Sequence, residues 1–242
     1  SAFAFEVSGG GRLGVFDTQA VEVETFSIGG VDKFAFSGPA GFARQHSGNI
    51  HTFGGGLFRI RLNNSNHRNI ELDGKFYMYN SMEIQTDVPD KGGHKGAMHV
   101  SVADNPLGPF TGTKQILHPF SIDSHIVQNE AGLFLFYSAN RFEGERIGTC
   151  IYVDKMLDPF TPAGNPVLVV EPTLDEDIYR RDRYKKGQHW HTIEGACYFK
   201  EGDWHYLMYS GNCYEQPTYY IGYARAKTDE TDLTKIKFEK YP

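Results

Sequence analysis

The chain has 242 residues, of which 40% are apolar and 14% aromatic, so it is long and apolar enough to bury a full core. Its 30 acidic and 24 basic residues give a net charge of −6, which would repel a phosphate backbone and argues against nucleic acid as a partner. No apolar run reaches the roughly 18 residues that cross a bilayer. We therefore expect no membrane association and a soluble protein, either cytoplasmic or secreted after processing.

The cysteines and histidines do not form metal-binding motifs. The three cysteines are an odd number without CxxC spacing, which argues against both a disulfide framework and a zinc knuckle. They are Cys150, Cys197 and Cys213, and we expect them to be buried free thiols. His189, His191 and His205 lack the spacing of a zinc protease motif, so no catalytic metal is predicted.

Short aromatic strands recur along the chain, each opened by a polar-Gly turn and closed by Ser. The three clear copies are 73–81, 130–138 and 201–210. A small-residue strand follows each copy, at 97–103, 148–153 and 221–226. A fourth copy of the turn and aromatic strand is predicted at 29–37. Antiparallel units that repeat in this way indicate an all-β propeller, and a two-sheet sandwich is the second choice.

Two carboxylates precede these aromatic strands at nearly the same distance. Asp123 stands fifteen residues before Ser138, and Glu194 stands sixteen before Ser210. An acidic residue before a hairpin is usually a solvated strand end, but both carboxylates here have apolar neighbours. The strand before the hairpin is the innermost one of a propeller blade, so we expect the two carboxylates to converge at the central channel. Convergent carboxylates are what the hydrolysis of a glycosidic bond requires.

These residues also carry a family resemblance. Residues 193–196, Ile-Glu-Gly-Ala, and the strand that follows resemble the blade-four motif of glycoside hydrolase family 43, which is related to families 32, 68 and 117. Residues 121–124 resemble the blade-three motif of that family, and residues 105–110 resemble its closure after blade two. The resemblance covers residues 66–226. It implies a five-bladed β-propeller that hydrolyses arabinofuranosides, xylosides or related sugars with inversion. In that family the residue matching Glu194 is the general acid, and the residue matching Asp123 adjusts the pKa of the acid and orients it.

The general base is harder to place. The family takes it from an Asp-Pro motif in blade one, which this chain does not show. Asp17 is the nearest acidic candidate, and Glu22, fifteen residues before Ser37, is the alternative. We expect residues 1–242 to form one propeller domain, in which residues 1–60 are an atypical blade or the segment that closes the ring.

Four further residues are candidates for substrate binding: His67, Arg141, Trp190 and His191. Each also has an ordinary structural explanation, such as a satisfied turn histidine, a surface arginine or a core tryptophan. The charged stretch 175–186 is predicted to be a solvated loop over the mouth of the site. The resemblance implies that no cofactor is required and allows a structural calcium ion.

Two alternatives to the leading function remain open. A fructan-acting or anhydro-sugar-acting relative would have the same propeller with a retaining or altered mechanism. A propeller that binds carbohydrate without cleaving it is favoured by the missing blade-one motif. In each case the partner is an oligosaccharide or polysaccharide, and the sequence allows a homo-oligomer.

Overall fold

The computed structural model describes residues 3–7, 22–28, 31–37, 51–53, 57–62, 65–83, 96–118 and 120–241. Side chains are described for residues 70–82, 96–118 and 120–241. The described residues form strands and one turn of 3-10 helix, Asp175–Asp177, with no α-helix among them. Consequently, in these ranges there is no helix with the length and apolarity of a membrane span.

Nineteen strands follow one another in the part of the chain that the structure describes. The first nine are β1 Phe3–Val7, β2 Glu22–Ile28, β3 Val31–Ser37, β4 His51–Phe53, β5 Leu57–Leu62, β6 Ser65–Leu72, β7 Lys75–Glu83, β8 Gly96–Ala103 and β9 Thr111–Gln115. The other ten are β10 Ser121–Asn129, β11 Gly132–Arg141, β12 Gly148–Asp158, β13 Thr161–Pro162, β14 Val167–Val170, β15 Ile178–Arg180, β16 Trp190–Glu201, β17 Trp204–Gly211, β18 Tyr220–Lys227 and β19 Glu239–Tyr241.

The chain divides into two compact units, of which the first comprises residues 1–80 and 100–114. It contains a three-stranded sheet of order β1-β3-β2, in which β2 and β3 form the predicted fourth copy of the hairpin. It also contains most of a six-stranded sheet of order β4-β5-β6-β7-β8-β9. Asp73 and Gly74 both have positive φ between β6 and β7, which is the two-residue turn expected of an Asp-Gly hairpin.

The second unit comprises residues 81–99 and 115–242. Its ten-stranded sheet has the order β10-β11-β12-β16-β17-β18-β19, with β13 and β14 paired to β12 and β15 paired to β16. The strands β10, β11 and β12 form what we call the third repeat, and β16, β17, β18 and β19 form the fourth repeat. The aromatic strands predicted at 130–138 and 201–210 are β11 and β17, and the small-residue strands after them are β12 and β18. These strand predictions are confirmed.

The third and fourth repeats join through a short parallel ladder. Gly148 of β12 pairs with His191 of β16, and Thr149 pairs with Thr192. A Cβ atom at Gly148 would lie 1.9 Å from the carbonyl oxygen of His191, so only glycine allows this close approach. The start of β16 is therefore fixed against the third repeat.

The core of this unit lies between the inward faces of the two repeats. Along β17 the side chains alternate strictly between buried and partly exposed, as a strand with one buried face requires. The core contains residues of both repeats, among them Phe134, Phe136, Ile151, Val153, Ile193, Leu207 and Tyr209. Burial of each large apolar side chain contributes about 1.5 to 3 kcal/mol. The three cysteines are free and buried, as predicted.

A buried carboxylate fixes the loop that follows β14. Asp177 is 0% exposed and accepts hydrogen bonds from the backbone N–H groups of Thr173 (2.8 Å) and Leu174 (2.9 Å). It also accepts from the Tyr220 hydroxyl, and Lys240 of β19 donates to it at 3.1 Å. A buried carboxylate is stable only when it is paired and hydrogen-bonded in this way. The stretch 175–186, predicted to be a solvated loop, is thus anchored near its start.

Candidate active site

Two matching β-bulges form the centre of the site. Between Ile122, opposite Ser138, and His125, opposite Phe136, strand β10 has one residue more than β11. Between Glu194, opposite Ser210, and Cys197, opposite Met208, strand β16 likewise has one residue more than β17. Such an insertion bends a strand and redirects the side chains beside it, and it is common next to active sites.

The residue at the bend has a left-handed backbone in both bulges. It is Asp123 in β10, with φ +58°, and Gly195 in β16, with φ +73°. Glycine adopts this conformation without strain, and aspartate tolerates it better than most residues. Asp123 therefore corresponds in the structure to Gly195, and Glu194 corresponds to Ile122. The prediction that the two carboxylates occupy equivalent positions was wrong by one residue, because a count of fifteen residues from Ser138 and a count of sixteen from Ser210 were treated as the same register.

The two bulges are connected by a hydrogen bond. The backbone N–H of Gly195 donates to Oδ2 of Asp123 at 3.2 Å and lies 3.3 Å from the Ser138 hydroxyl. Ser138 Oγ lies 3.5 Å from the same carboxylate oxygen. Asp123 is 2% exposed and Ser138 is fully buried. A hydrogen bond to a buried carboxylate is stronger than one between neutral groups, so Asp123 holds the backbone directly beside Glu194.

A second contact between the same strands lies three residues further on. The backbone N–H of Tyr198 donates to Nε2 of His125 at 3.2 Å. The ring of Tyr198 stacks on Phe136, with 5.6 Å between the ring centroids. Strands β10 and β16 are therefore held together both at the bulge and three residues beyond it.

Glu194 is partly buried, and its carboxylate receives a hydrogen bond from a residue that the sequence did not single out. The Tyr219 hydroxyl donates to Oε1 of Glu194 at 3.0 Å. Burial, followed by the charge of Glu194, raises the pKa of the Tyr219 hydroxyl above its ordinary value. Tyr219 therefore stays protonated over the whole working pH range and remains a donor.

Arg141 stands at the end of β11, next to the loop that leads to β12. Its guanidinium Nη2 lies 2.6 Å from Oε2 of Glu171. The arginine is largely covered, whereas the glutamate is about half exposed. The charge of Arg141 is therefore already compensated by the carboxylate of Glu171. A contact between Arg141 and substrate remains a prediction.

His191 lies at the start of β16 and connects to the β11–β12 loop. Its Nδ1 lies 3.0 Å from the carbonyl oxygen of Ile147, and Nη1 of Arg146 lies 3.3 Å from its Nε2. Burial is the main cause that lowers the pKa of His191, and the nearby Arg146 charge lowers it further. Arg146 also bonds Asp175 at 3.0 Å. Both ring nitrogens thus contact protein groups, so a sugar contact, which remains a prediction, would require one of these contacts to be exchanged.

Trp190 is 3% exposed and lies beneath two exposed aromatic rings. The ring centroids of Phe142 and Tyr184 lie 5.3 Å and 5.9 Å from that of Trp190. Arg183 places its guanidinium carbon 4.7 Å from the same indole. Phe142 and Tyr184 are 42% and 43% exposed. The surface available to a sugar in this cluster therefore belongs to these two rings rather than to Trp190.

The remaining predicted residues lie where less can be said. His67 lies on β6 and pairs with Asn80, the residue before Ser81 on β7. The side chain of His67 is outside the described side chains. Asp17, the candidate base, lies outside the described residues. The alternative base Glu22 pairs with Ser37, as Glu194 pairs with Ser210. The choice between Asp17 and Glu22 stays open.

Among the described side chains, no group of three or more His, Cys, Asp and Glu is placed to hold a metal ion. The structural calcium ion that the family resemblance allows stays a prediction.

Sequence reasoning missed Tyr219, Gly195 and Arg146. Tyr219 belongs to no recognisable motif, because it reaches Glu194 from a loop 25 residues further along the chain. Gly195 did carry a usable indication, since a glycine inside a strand pattern suggests a bulge.

The sequence profile of Glycosyl hydrolases family 43 matches residues 68–232, which is more than half of the chain. No curated protein matches the chain in sequence.

Solved structures show the same fold. An α-L-arabinofuranosidase from Lactobacillus brevis is 17% identical, with 79% of this chain and 70% of that chain covered and a TM-score of 0.61. A thermostable family-43 glycoside hydrolase is 26% identical, with 86% and 60% covered and a TM-score of 0.55. An endo-arabinase from Bacteroides thetaiotaomicron VPI-5482 is 16% identical, with 80% and 78% covered and a TM-score of 0.54.

These matches confirm the predicted fold class, an all-β chain of the propeller type, and the predicted family. The chain spans 60% of the thermostable enzyme, which is less than two thirds of its length. The profile match, which covers more than half of the chain, leads to one conclusion. The chain belongs to glycosyl hydrolases family 43 and is a glycosidase.

Proposed function

We propose that the chain hydrolyses terminal arabinofuranosyl, xylosyl or related glycosidic bonds with inversion of configuration. Glu194 is the general acid, Asp123 orients it, and an N-terminal carboxylate, Asp17 in the leading assignment, is the base. The observation that carries this proposal is the hydrogen bond from the Gly195 N–H to Asp123. This bond connects the buried carboxylate of Asp123 to the residue that follows Glu194.

The chemistry follows from two unequal environments. Glu194 is partly exposed and can reach a substrate, whereas Asp123 is 2% exposed and serves other protein groups. A buried negative charge nearby disfavours ionisation of a neighbouring carboxyl group, which favours the protonated form that a general acid needs. Glu194 gives its proton to the leaving oxygen while the base takes a proton from water on the opposite face of the sugar. Inverting enzymes hold the acid and the base about 6.5 to 9.5 Å apart to leave room for that water.

The substrate class is supported by the similar proteins. The structures of similar fold include an α-L-arabinofuranosidase, an endo-arabinase and an endo-1,4-β-xylanase. The exposed rings of Phe142 and Tyr184 offer apolar faces on which the C–H groups of a pentose can pack. We therefore assign arabinose-containing or xylose-containing oligosaccharides and polysaccharides as the substrates.

The proposal is tested by Glu194→Gln, which removes the transferable proton and keeps the shape of the side chain. We expect kcat on oligosaccharides to fall by about 1,000-fold. The loss should be smaller on aryl glycosides with good leaving groups, because those need little protonation. Glu201→Gln, at the exposed end of the same strand, is the matched control and should keep full activity.

A fully active Glu194→Gln enzyme would contradict the acid assignment. If the wild-type chain binds these sugars but hydrolyses neither oligosaccharides nor aryl glycosides, the non-catalytic alternative replaces the proposal. Cleavage of fructans or anhydro-sugar polymers instead would support the other alternative. The anomeric configuration of the first product, measured by NMR, separates inversion from retention.

A further inference from the structure

Tyr219 reaches Glu194 from a loop that is held firmly in place. It stands immediately before β18, and its backbone N–H donates to the Gln216 carbonyl oxygen at 3.1 Å. The next side chain, Tyr220, donates to the buried carboxylate of Asp177. Adjacent side chains of an extended segment point to opposite faces, so fixing Tyr220 on one side also fixes the direction of Tyr219 on the other.

The hydroxyl of Tyr219 acts on one oxygen of Glu194 in particular. The bond of 3.0 Å is to Oε1. A protonated carboxyl group has a single O–H, and the oxygen that accepts a hydrogen bond from a phenol is free to remain the carbonyl oxygen. The proton of Glu194 is then on Oε2.

We propose that Tyr219 is a positioning residue which, by binding Oε1, directs the proton-bearing Oε2 of Glu194 toward the leaving oxygen of the substrate. This inference rests on the proposed function, since it requires Glu194 to be the acid. In the reaction the Oε2–H bond breaks and the leaving oxygen gains the proton, while the electron pair of the broken C–O bond goes to that oxygen. Glu194 is left as a carboxylate.

The same hydrogen bond also stabilises the product of the proton transfer. A donor bonds a carboxylate more strongly than a neutral carboxyl group, so the contact strengthens as the negative charge develops on Glu194. The charge of Asp123 has the opposite effect, because it disfavours the ionisation of Glu194. The titratable groups that act on Tyr219 are these two carboxylates, Glu194 on β16 and Asp123 on β10.

Tyr219→Phe tests the inference, because it removes the hydroxyl and keeps the ring. We expect kcat to fall about tenfold with a smaller change in KM, which is the effect of one hydrogen bond to a charged group. The basic limb of the kcat/KM profile against pH should move to higher pH, since a carboxyl group without this donor keeps its proton longer. Tyr214→Phe is the control, because that hydroxyl bonds Glu215 in the same loop and should affect neither quantity.

A structural role for Tyr219 would lower activity without moving the basic limb, and that result would overturn the inference, as would wild-type kinetics. Glu194→Gln is measured in parallel on the same substrates. If Glu194→Gln is inactive and Tyr219→Phe is unchanged, only the positioning role fails. If Glu194→Gln is active, the proposed function itself fails.

Discussion

The bulges of β10 and β16 have the same backbone geometry with different residues at corresponding positions. In β10 the residue at the bend is Asp123, and its carboxylate is buried against the neighbouring strand. In β16 the residue at the bend is Gly195, and the carboxylate stands one residue earlier, on Glu194. The difference decides the environment of each acid. A carboxylate at the bend contacts protein, whereas a carboxylate before the bend stays partly open to solvent.

Removal of the charge at the first bend should have the largest effect. Asp123→Asn keeps the size of the side chain and its tolerance for a positive φ, but Glu194 loses the neighbouring charge. We expect kcat to fall on the order of 100-fold, between the effect of a catalytic group and that of one hydrogen bond. Steady-state kinetics on oligosaccharides measure this fall.

Asp154→Asn is the matched control for that change. Asp154 is also 2% exposed, and it accepts from the N–H of Gly164 at 2.8 Å in a turn of the third repeat. Its substitution should lower the melting temperature and leave kcat unchanged. Equal losses of kcat in the two variants would show that Asp123 is only a structural carboxylate.

A side chain at the second bend should have an intermediate effect. Gly195→Ala forces a Cβ atom into a left-handed conformation with φ +73°, which costs about 1 kcal/mol. If the bulge changes shape to relieve this strain, the N–H of residue 195 moves away from Asp123. We therefore expect kcat to fall about tenfold. Thermal unfolding and kinetics on the same samples separate these two effects.

Gly202→Ala provides the comparison. Gly202 lies in the turn between β16 and β17, has φ +56°, and has open space where the Cβ would be. It should lose a similar amount of stability with no loss of kcat. If both variants keep full activity, the geometry of the second bend is not required for catalysis.

Removal of the Ser138 hydroxyl, which lies between the two bends, should have the smallest effect on kcat. Ser138→Ala removes a group within 3.5 Å of both the Gly195 nitrogen and Oδ2 of Asp123. The direct bond between those two atoms remains, so we expect about a threefold fall in kcat and about 1 kcal/mol of stability lost. Ser101→Ala, which removes a 2.8 Å bond to Thr113, should affect stability alone. A loss as large as that of Asp123→Asn would mean that Ser138, rather than the carboxylate, holds Gly195.

Much of the second unit could be predicted from its sequence because its strands repeat. Alternating aromatic residues after a polar-Gly turn specify β11 and β17, since period-two patterns and turn residues are local properties. The acidic residues Asp123 and Glu194 were found by the same counting. Their relation to each other was wrong by one residue, because counts of fifteen and sixteen residues were treated as one register, although both strands contain the same bulge.

The contacts around Glu194 could not be predicted in this way. Tyr219 and Asp123 reach the acid from 25 and about 70 residues away along the chain, and their approach depends on how neighbouring strands pack. Trp190 shows a different limit of the sequence. The sequence identified this aromatic residue as a candidate, but it did not show which rings around it are exposed. Composition specifies that a ring is present, and only packing decides which face it offers.

The anchoring of Asp177 by Lys240 has a consequence for how the enzyme is made. The two residues are 63 positions apart, so the ribosome adds roughly 3 to 13 seconds of further chain before the loop can close on its partner. Until then the carboxylate has its backbone donors but no cation. The contact between this loop and β19 is thus among the last contacts of this unit to form.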